Sequence, residues 1–249
     1  MNINDLKKLG SKTAINGFKN EDDIVSKFNN WNIDKDAQNW LAIMGYNLDE
    51  INKVEAIKLH GYKTDVQVQI TVYLKSAISA ENLSIKLVSN PQGFNQIDKR
   101  KVDKYVDMWE LSENITRILK LFTGESLPIK KNTRDNRRMF LNEMSEIDQK
   151  SIVDFFEKNK ILVISDIIKG RGKFSAGWML VALVVEGKNS WVLKSINQAM
   201  NVFAEGKVKI TSQGSLKIGK VTMQRKGGDN GRDTAKMLQF KINPIELFK

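Results

Sequence analysis

The chain has 249 residues and no cysteine, which suits one large domain and excludes disulfides, thiol nucleophiles and Cys-based zinc sites. Its single histidine, His60, excludes multi-His zinc sites, and Lys plus Arg total 40 against 29 Asp plus Glu, a net charge of +11 that favours polyanion partners, nucleic acid first. The longest apolar run, Trp178 to Val185, falls far short of the ~20 residues of a membrane span, and Met1 to Gly10 has no apolar signal core, so a soluble, cytoplasmic protein with no membrane partner is expected.

In chain order, Ile24, Val25 and Phe28 at helical spacing after the cap candidate Asn20 predict a helix over 21–31. Trp40, Leu41 and Met44 share a face of a second helix over 36–44. From Thr64 the period changes to two. Val66, Val68, Ile70 and Val72 alternate with Gln67, Gln69 and Thr71, which predicts a half-buried strand. Residues 76–82 read as the turn before a second strand, in which Leu83, Ile85 and Leu87 alternate with Ser84, Lys86 and Val88. A polar loop over 89–100 contains Pro91 and Gly93, and a long helix over about 101–122 buries Val102, Tyr105, Val106, Trp109, Ile115, Ile118 and Leu119. A basic loop spans 123–138, and Ser145 with Asp148 three residues on opens a helix to about Lys160. Ile161 to Ile168 and Ala176 to Val185 read as β, Lys194 to Phe203 as a short helix, and 207–212, 215–224 and 237–242 as small strands. The fold class is therefore α/β in the α+β sense, a mixed central sheet flanked by helices. A single domain over 1–249 is expected, with one part over about 15–125 and a C-terminal part over about 139–249 that completes the fold.

Ser84 and Lys86 lie two apart and project to one side of their strand. Asp65 opens the preceding strand, so a hairpin brings it close to both. A carboxylate, an oxygen ligand and a lysine at one spot are the parts of metal-assisted phosphodiester hydrolysis. The carboxylate holds Mg²⁺, which takes oxygen ligands. The Ile85 carbonyl completes such a shell, and the lysine orients or deprotonates a water and neutralises the phosphate. Spacing alone also allows a solvated strand face.

Four basic or amide-rich segments are DNA-contact candidates. Asn90, Gln92, Asn95 and Gln96 carry amides suited to base edges, with Lys99 and Arg100 for phosphate or guanine. Phe94 among them is either a wedge between base steps or an anchor folded back into the core. In the segment 224–236, Arg225, Lys226, Arg232 and Lys236 supply charge and Asn230 a base-reading amide. The loop Lys169 to Lys173 and the trio Arg134, Arg137 and Arg138 are basic too, with a solvated loop as the alternative. Gly214 to Lys220 has the spacing of a phosphate-binding loop, but Val221 stands where a hydroxyl should hold Mg²⁺, and the alternation reads as a bulged strand. His60 before Gly61 reads as a structural turn residue, and Ser84 with Lys86 lacks the oxyanion loop of an acyl-transfer dyad.

The pair Thr64–Asp65, eighteen intervening residues and then Ser84–Ile85–Lys86 resembles the PD-(D/E)xK core of type II restriction endonucleases. The stretch Lys86 to Lys99 (Lys-Leu-Val-Ser-Asn-Pro-Gln-Gly-Phe-Asn-Gln-Ile-Asp-Lys) is similar to the HinP-type endonucleases, which cut within GCGC. So are Gly10 to Ala14, Gly17 to Glu21 and Gln224 to Arg232, and the MspI-type enzymes look like more distant relatives. Ser84 stands where the superfamily has Glu or Asp; the HinP-type pattern has Gln there and the MspI-type Asn. The resemblance implies a Mg²⁺-dependent cut after the first G of GCGC with 5′-phosphate ends, and a methyltransferase that protects the host. It implies a metal-ligating role for Glu21 on the first helix, beside the plainer reading that Glu21 favours a helix N-terminus. Cutting both strands of a palindrome calls for a homodimer or for one protomer nicking twice. Two rivals are a non-cleaving nucleic-acid-binding module with a degenerate site and an RNA-processing nuclease.

Overall fold

A computed structural model of the chain describes residues 3–59, 68–90, 92–130, 133–185, 188–227 and 233–249, and at 3–15 and 188 the backbone alone. In chain order the elements are α1 (Ile3–Asn29), α2 (Lys35–Ile43), β1 (Ile51–Lys58), β2 (Val68–Leu74), β3 (Ile78–Val88), β4 (Asn95–Arg100), α3 (Val102–Trp109), α4 (Glu113–Thr123) and α5 (Glu146–Lys158). There follow α6 (Lys160–Ile168), β5 (Trp178–Val185), β6 (Lys188–Ser195), α7 (Ile196–Ala204), β7 (Val208–Ile210), β8 (Leu216–Ile218), β9 (Val221–Arg225) and β10 (Leu238–Ile242). Two compact units result, one of Met1–Gly93, Lys169–Ala199 and Pro244–Lys249, the other of Phe94–Ile168 and Met200–Asn243. The class is mixed α+β, with two sheets and seven α-helices among the described residues.

The first unit is built on the sheet β1-β2-β3-β5-β6. Its neighbours are antiparallel except β3 and β5, which run parallel with Ser84 opposite Met179 and Lys86 opposite Val181. The alternation of β2 puts Val68, Ile70 and Val72 into a core with Leu83 and Ile85 of β3, Leu180 of β5 and Ile24 and Phe28 of α1. Burying each such side chain contributes roughly 1.5–3 kcal/mol. Asp34 caps α2 by accepting from the Ala37 N–H, and Lys27 of α1 bridges Asp34 and Asp36 at 3.0 and 2.8 Å, which ties the two helices together.

The second unit carries the antiparallel sheet β4-β10-β9-β8-β7. Its core is aromatic: Tyr105 stacks on Trp109 at 4.6 Å, and both meet Phe240 edge-on. The Trp109 indole N–H donates to the buried Asp166 carboxylate at 2.8 Å, so neither polar group is left without a partner.

Several elements differ from expectation for identifiable reasons. Residues 161–168 form helix α6, not a strand. Their β-branched composition favours β, but Val163, Ile164, Ile167 and Ile168 are buried at helical spacing while Ile161 and Leu162 face solvent. The helix expected over 101–122 breaks in two: Glu110 takes the left-handed conformation (φ 51°), and Ser112 caps α4 by accepting from the Ile115 N–H. The loop over 89–100 contains strand β4, and residues 78–82 belong to β3, not to the turn. Helix α1 runs through Asn20, which is buried within it and does not cap it; short polar residues are tolerated inside a helix. Strands β1 and β6 were not anticipated. In β1 a register shift between Ile51 and Lys53 spoils the alternation. Residues 64–67 and His60 lie outside the described residues.

The segment 214–220 holds the short strand β8 between two tight turns and is not a phosphate cradle. Gly214 (φ 77°) and Gly219 (φ 58°) are both left-handed, and Lys220 N–H donates to the Phe203 carbonyl at 2.9 Å. A Cβ on Gly219 would lie 2.6 Å from the Phe203 carbonyl oxygen and 2.8 Å from that of Ala204. We therefore expect Gly219→Ala to cost at least ~2 kcal/mol and to lower Tm by about 5 °C, measured by differential scanning calorimetry. A change below about 1 °C contradicts the packing described.

Candidate active site

The β3 side chains that follow the hairpin are where chemistry collects. Ser84, expected on a wet face, is instead buried at 1% exposure because β5 pairs alongside and places Met179 and Val181 next to it. Its hydroxyl oxygen has no hydrogen-bond partner among the described residues. A buried hydroxyl left so costs about 1–3 kcal/mol. Lys86 is half-buried one pleat further on. Asp65 lies outside the described residues, but Val68, three residues after it, pairs with Leu83, the neighbour of Ser84.

Glu21 of α1 belongs to the same unit. Burial raises its carboxyl above the usual range, against the opposing charges of Lys58, 3.5 Å away, and of Lys86. Lys58 also bridges Asp22 at 2.9 Å. The pull of Lys86 on Glu21 places the two in one electrostatic neighbourhood, and their separation along the sequence makes this invisible to spacing arguments. Glu21 lies in the interior of α1, so it does not serve a helix N-terminus. Among the described residues no group of three or more His, Cys, Asp or Glu forms a metal cluster.

The candidate DNA-contact residues divide between the units. In the first, Asn90 uses its own side chain to accept from the Gln92 N–H at 3.0 Å, and both residues are exposed in a tight turn closed by Gly93. In the second, Phe94 is 49% exposed with the Lys217 ammonium 5.2 Å above its ring, so the anchoring alternative does not hold. Asn95, Gln96, Lys99 and Arg100 lie on β4, and Arg100 is engaged by the buried Asp98 at 3.0 Å. Arg225 ends β9 and Lys226 follows it, Lys236 lies in the turn Asp233–Lys236, and Asn230 and Arg232 fall outside the described residues.

Sequence reasoning missed Gln239. Its amide donates to the Gln96 oxygen at 2.6 Å and accepts from Gln224 at 3.2 Å, a row of three amides across β4, β10 and β9. Next on that side of β10 is Lys241, held below its usual pKa by burial. The available signal was the polar alternation Gln239, Lys241 within Leu238, Phe240 and Ile242.

The fold matches that of restriction endonuclease MspI in the crystal structure of its complex with cognate DNA, with a TM-score of 0.64 at 13% sequence identity over 90% of this chain and 88% of that one. The sequence profile of the R.HinP1I restriction endonuclease family matches residues 44–248. The chain belongs to that family and is a type II restriction endonuclease, a hydrolase of DNA. No curated protein sequence matches it. Among the described residues no helix is long and apolar enough to cross a membrane.

Two predictions follow from the burial of Ser84 and Glu21. Ser84→Ala removes a hydroxyl without breaking any bond, so Tm should stay level or rise by about 2–4 °C while cleavage falls; a drop in Tm with cleavage retained contradicts this. The raised Glu21 carboxyl means that folding favours its protonated form, and stability is lost as pH rises through that pKa. Glu21→Gln should therefore raise Tm at pH 7 and leave it unchanged at pH 4, as thermal melts at the two values would show. Asp22 keeps Lys58 paired in that variant.

Proposed function

We propose that this restriction endonuclease cuts double-stranded DNA at GCGC, after the first G, in a Mg²⁺-dependent reaction that leaves 5′-phosphate and 3′-hydroxyl ends. The observation that carries the site assignment is the buried, partnerless hydroxyl of Ser84 one pleat from Lys86, inside the family-matched stretch. The donor set of Asp65, Glu21, the Ser84 hydroxyl and the Ile85 carbonyl is all oxygen, the set that Mg²⁺ takes, and the orphaned Ser84 oxygen fits such a guest. When bound, the ion supplies positive charge against the phosphate and lowers the pKa of water. Lys86 holds and orients the attacking water and neutralises one phosphate oxygen. Asp65 is the ligand whose charge fixes the ion. The PD-(D/E)xK motif is thus read as Asp65, Ser84 and Lys86, with serine in the place of the second carboxylate.

Asn90, Gln92, Asn95, Gln96 and Asn230 are assigned to base edges, and Lys99, Arg100, Arg225, Lys226, Arg232 and Lys236 to phosphate or guanine. The exposed Phe94 is the wedge between base steps. The DNA-bound state of MspI supports duplex DNA as the substrate. Cellular context follows from the class: a cytoplasmic enzyme paired with a DNA methyltransferase, acting as a homodimer or by successive nicks.

The test is digestion of a sequenced plasmid in Mg²⁺ and in EDTA, with fragment ends mapped. Discrete ends within GCGC, absent in EDTA, are expected. Ends at another shared sequence keep the enzyme and overturn the specificity. An intact plasmid from a folded, DNA-binding preparation favours a binding module instead. Asp65→Ala and Lys86→Ala should each lower the single-turnover rate at least ~10³-fold while duplex binding persists. Ser84→Gln should retain activity, and a dead but folded variant would assign the hydroxyl a role that an amide oxygen does not fill.

A further inference from the structure

In the second unit a short turn after α4 gathers arginines around one carboxylate. Arg137 grips Asp135 in a two-point ion pair, Nε to Oδ1 at 2.8 Å and a terminal nitrogen to Oδ2 at 3.0 Å. Arg138 Nε lies 3.7 Å from Oδ2, and Arg225, arriving from the end of β9, lies 3.9 Å from that same oxygen. Neither distance is a hydrogen bond. The Nε atoms of both Arg138 and Arg225 are buried and have no hydrogen-bond partner among the described residues. The Arg225 side chain is only 7% exposed and that of Arg138 only 16%. Three guanidiniums thus share one carboxylate, and two positive charges remain uncompensated in a poorly solvated place.

The turn is held firmly enough to be a site. Met139 N–H donates to the Leu121 carbonyl at 2.9 Å, and the Thr133 hydroxyl donates to that of Asp135 at 2.9 Å. The Phe140 ring lies between two guanidiniums, Arg138 at 3.9 Å and Arg134 at 4.0 Å, and Arg134 is itself paired with Glu143. Burial first, and then the charge of Arg225, lower Arg138 to about 10. Packing more guanidiniums around one carboxylate than it can neutralise raises the free energy of the unliganded chain, and an anion bound between them reverses that.

We propose that Arg137, Arg138 and Arg225, gathered on Asp135, form a binding site for one oxyanion, a phosphodiester of the nucleic-acid backbone. The identity of that anion rests on the DNA substrate proposed above; the site itself rests on the two guanidiniums whose buried Nε atoms have no hydrogen-bond partner among the described residues. It is a clamp that positions the duplex and carries no sequence information.

The test uses the full chain with inorganic phosphate as the probe, at constant ionic strength. Phosphate should raise the wild-type Tm, and the increase should vanish in Arg138→Met/Arg225→Met. Without phosphate, that variant should melt no lower than wild type, since it loses unpaired buried charge. For duplex binding in EDTA, the slope of log affinity against log salt should become shallower by about one. A variant that melts several degrees lower, with the phosphate response intact, would show that the arginines serve the fold alone. If the double variant does not fold, Arg137→Met, at a side chain 61% exposed, carries the same phosphate and salt tests. Metal-dependent cleavage with an unchanged salt slope and no phosphate response overturns the clamp and leaves the nuclease standing. A phosphate response in a chain that cuts no duplex does the reverse.

Discussion

The parallel pairing of β3 with β5 joins residues that lie about ninety-five positions apart in sequence, Leu83 with Trp178 through Val88 with Leu183, and it brings β5 and β6, with Leu180 and Leu193, onto the sheet and core of the first unit. It closes the middle of a five-stranded sheet whose other neighbours are antiparallel hairpins or nearly so. Parallel strands need a long crossover, and here residues 94–168, a large part of the second unit, fill it. The same pairing turns a serine that would otherwise face water into a buried one, and so creates the partnerless hydroxyl on which the site assignment turns.

Among the described residues three buried polar side-chain atoms lack a hydrogen-bond partner: the Ser84 hydroxyl and the Nε atoms of Arg138 and Arg225. All three fall at positions assigned to phosphate chemistry, one to hydrolysis and two to grip. Elsewhere among the described residues the polar interior is satisfied: Glu81 accepts from Tyr46 and from Trp178, burial first and then Glu81 raise the Tyr46 phenol to about 12, and Asp98 takes both Arg100 and Tyr105. Unsatisfied groups at the positions proposed for phosphate are what a chain selected for binding a polyanion should show, because stability lost in the free protein returns on binding.

Where alternation was strict, the sequence was sufficient. Val68 to Val72 and Leu83 to Leu87 were legible as paired strands, and Trp178 to Val185 as a buried one. It was insufficient where a local device overrode the pattern: the register shift in β1, the left-handed Glu110 between α3 and α4, and the β-branched residues of α6 buried at helical spacing. The polar run of β4 reads as loop because its stabilisation comes from pairing with β10, which no local window contains. At the proposed site, the placing of Ser84 and Lys86 on one strand was legible from their spacing of two. The burial of Ser84, the proximity of Glu21 to Lys86, the Gln96–Gln239–Gln224 row and the convergence of Arg225 on Asp135 all come from tertiary pairing.

The central claim, that the Ser84 hydroxyl and the Asp65 carboxylate share a metal ion, is tested most directly by an anomalous-difference map. Crystals of the full chain with Mn²⁺ and a product duplex bearing 5′-phosphates would serve. The account predicts a Mn²⁺ peak about 2.0–2.6 Å from an Asp65 carboxylate oxygen and within reach of the Ser84 oxygen. A peak remote from both residues, or none in crystals that hold the duplex, would contradict it.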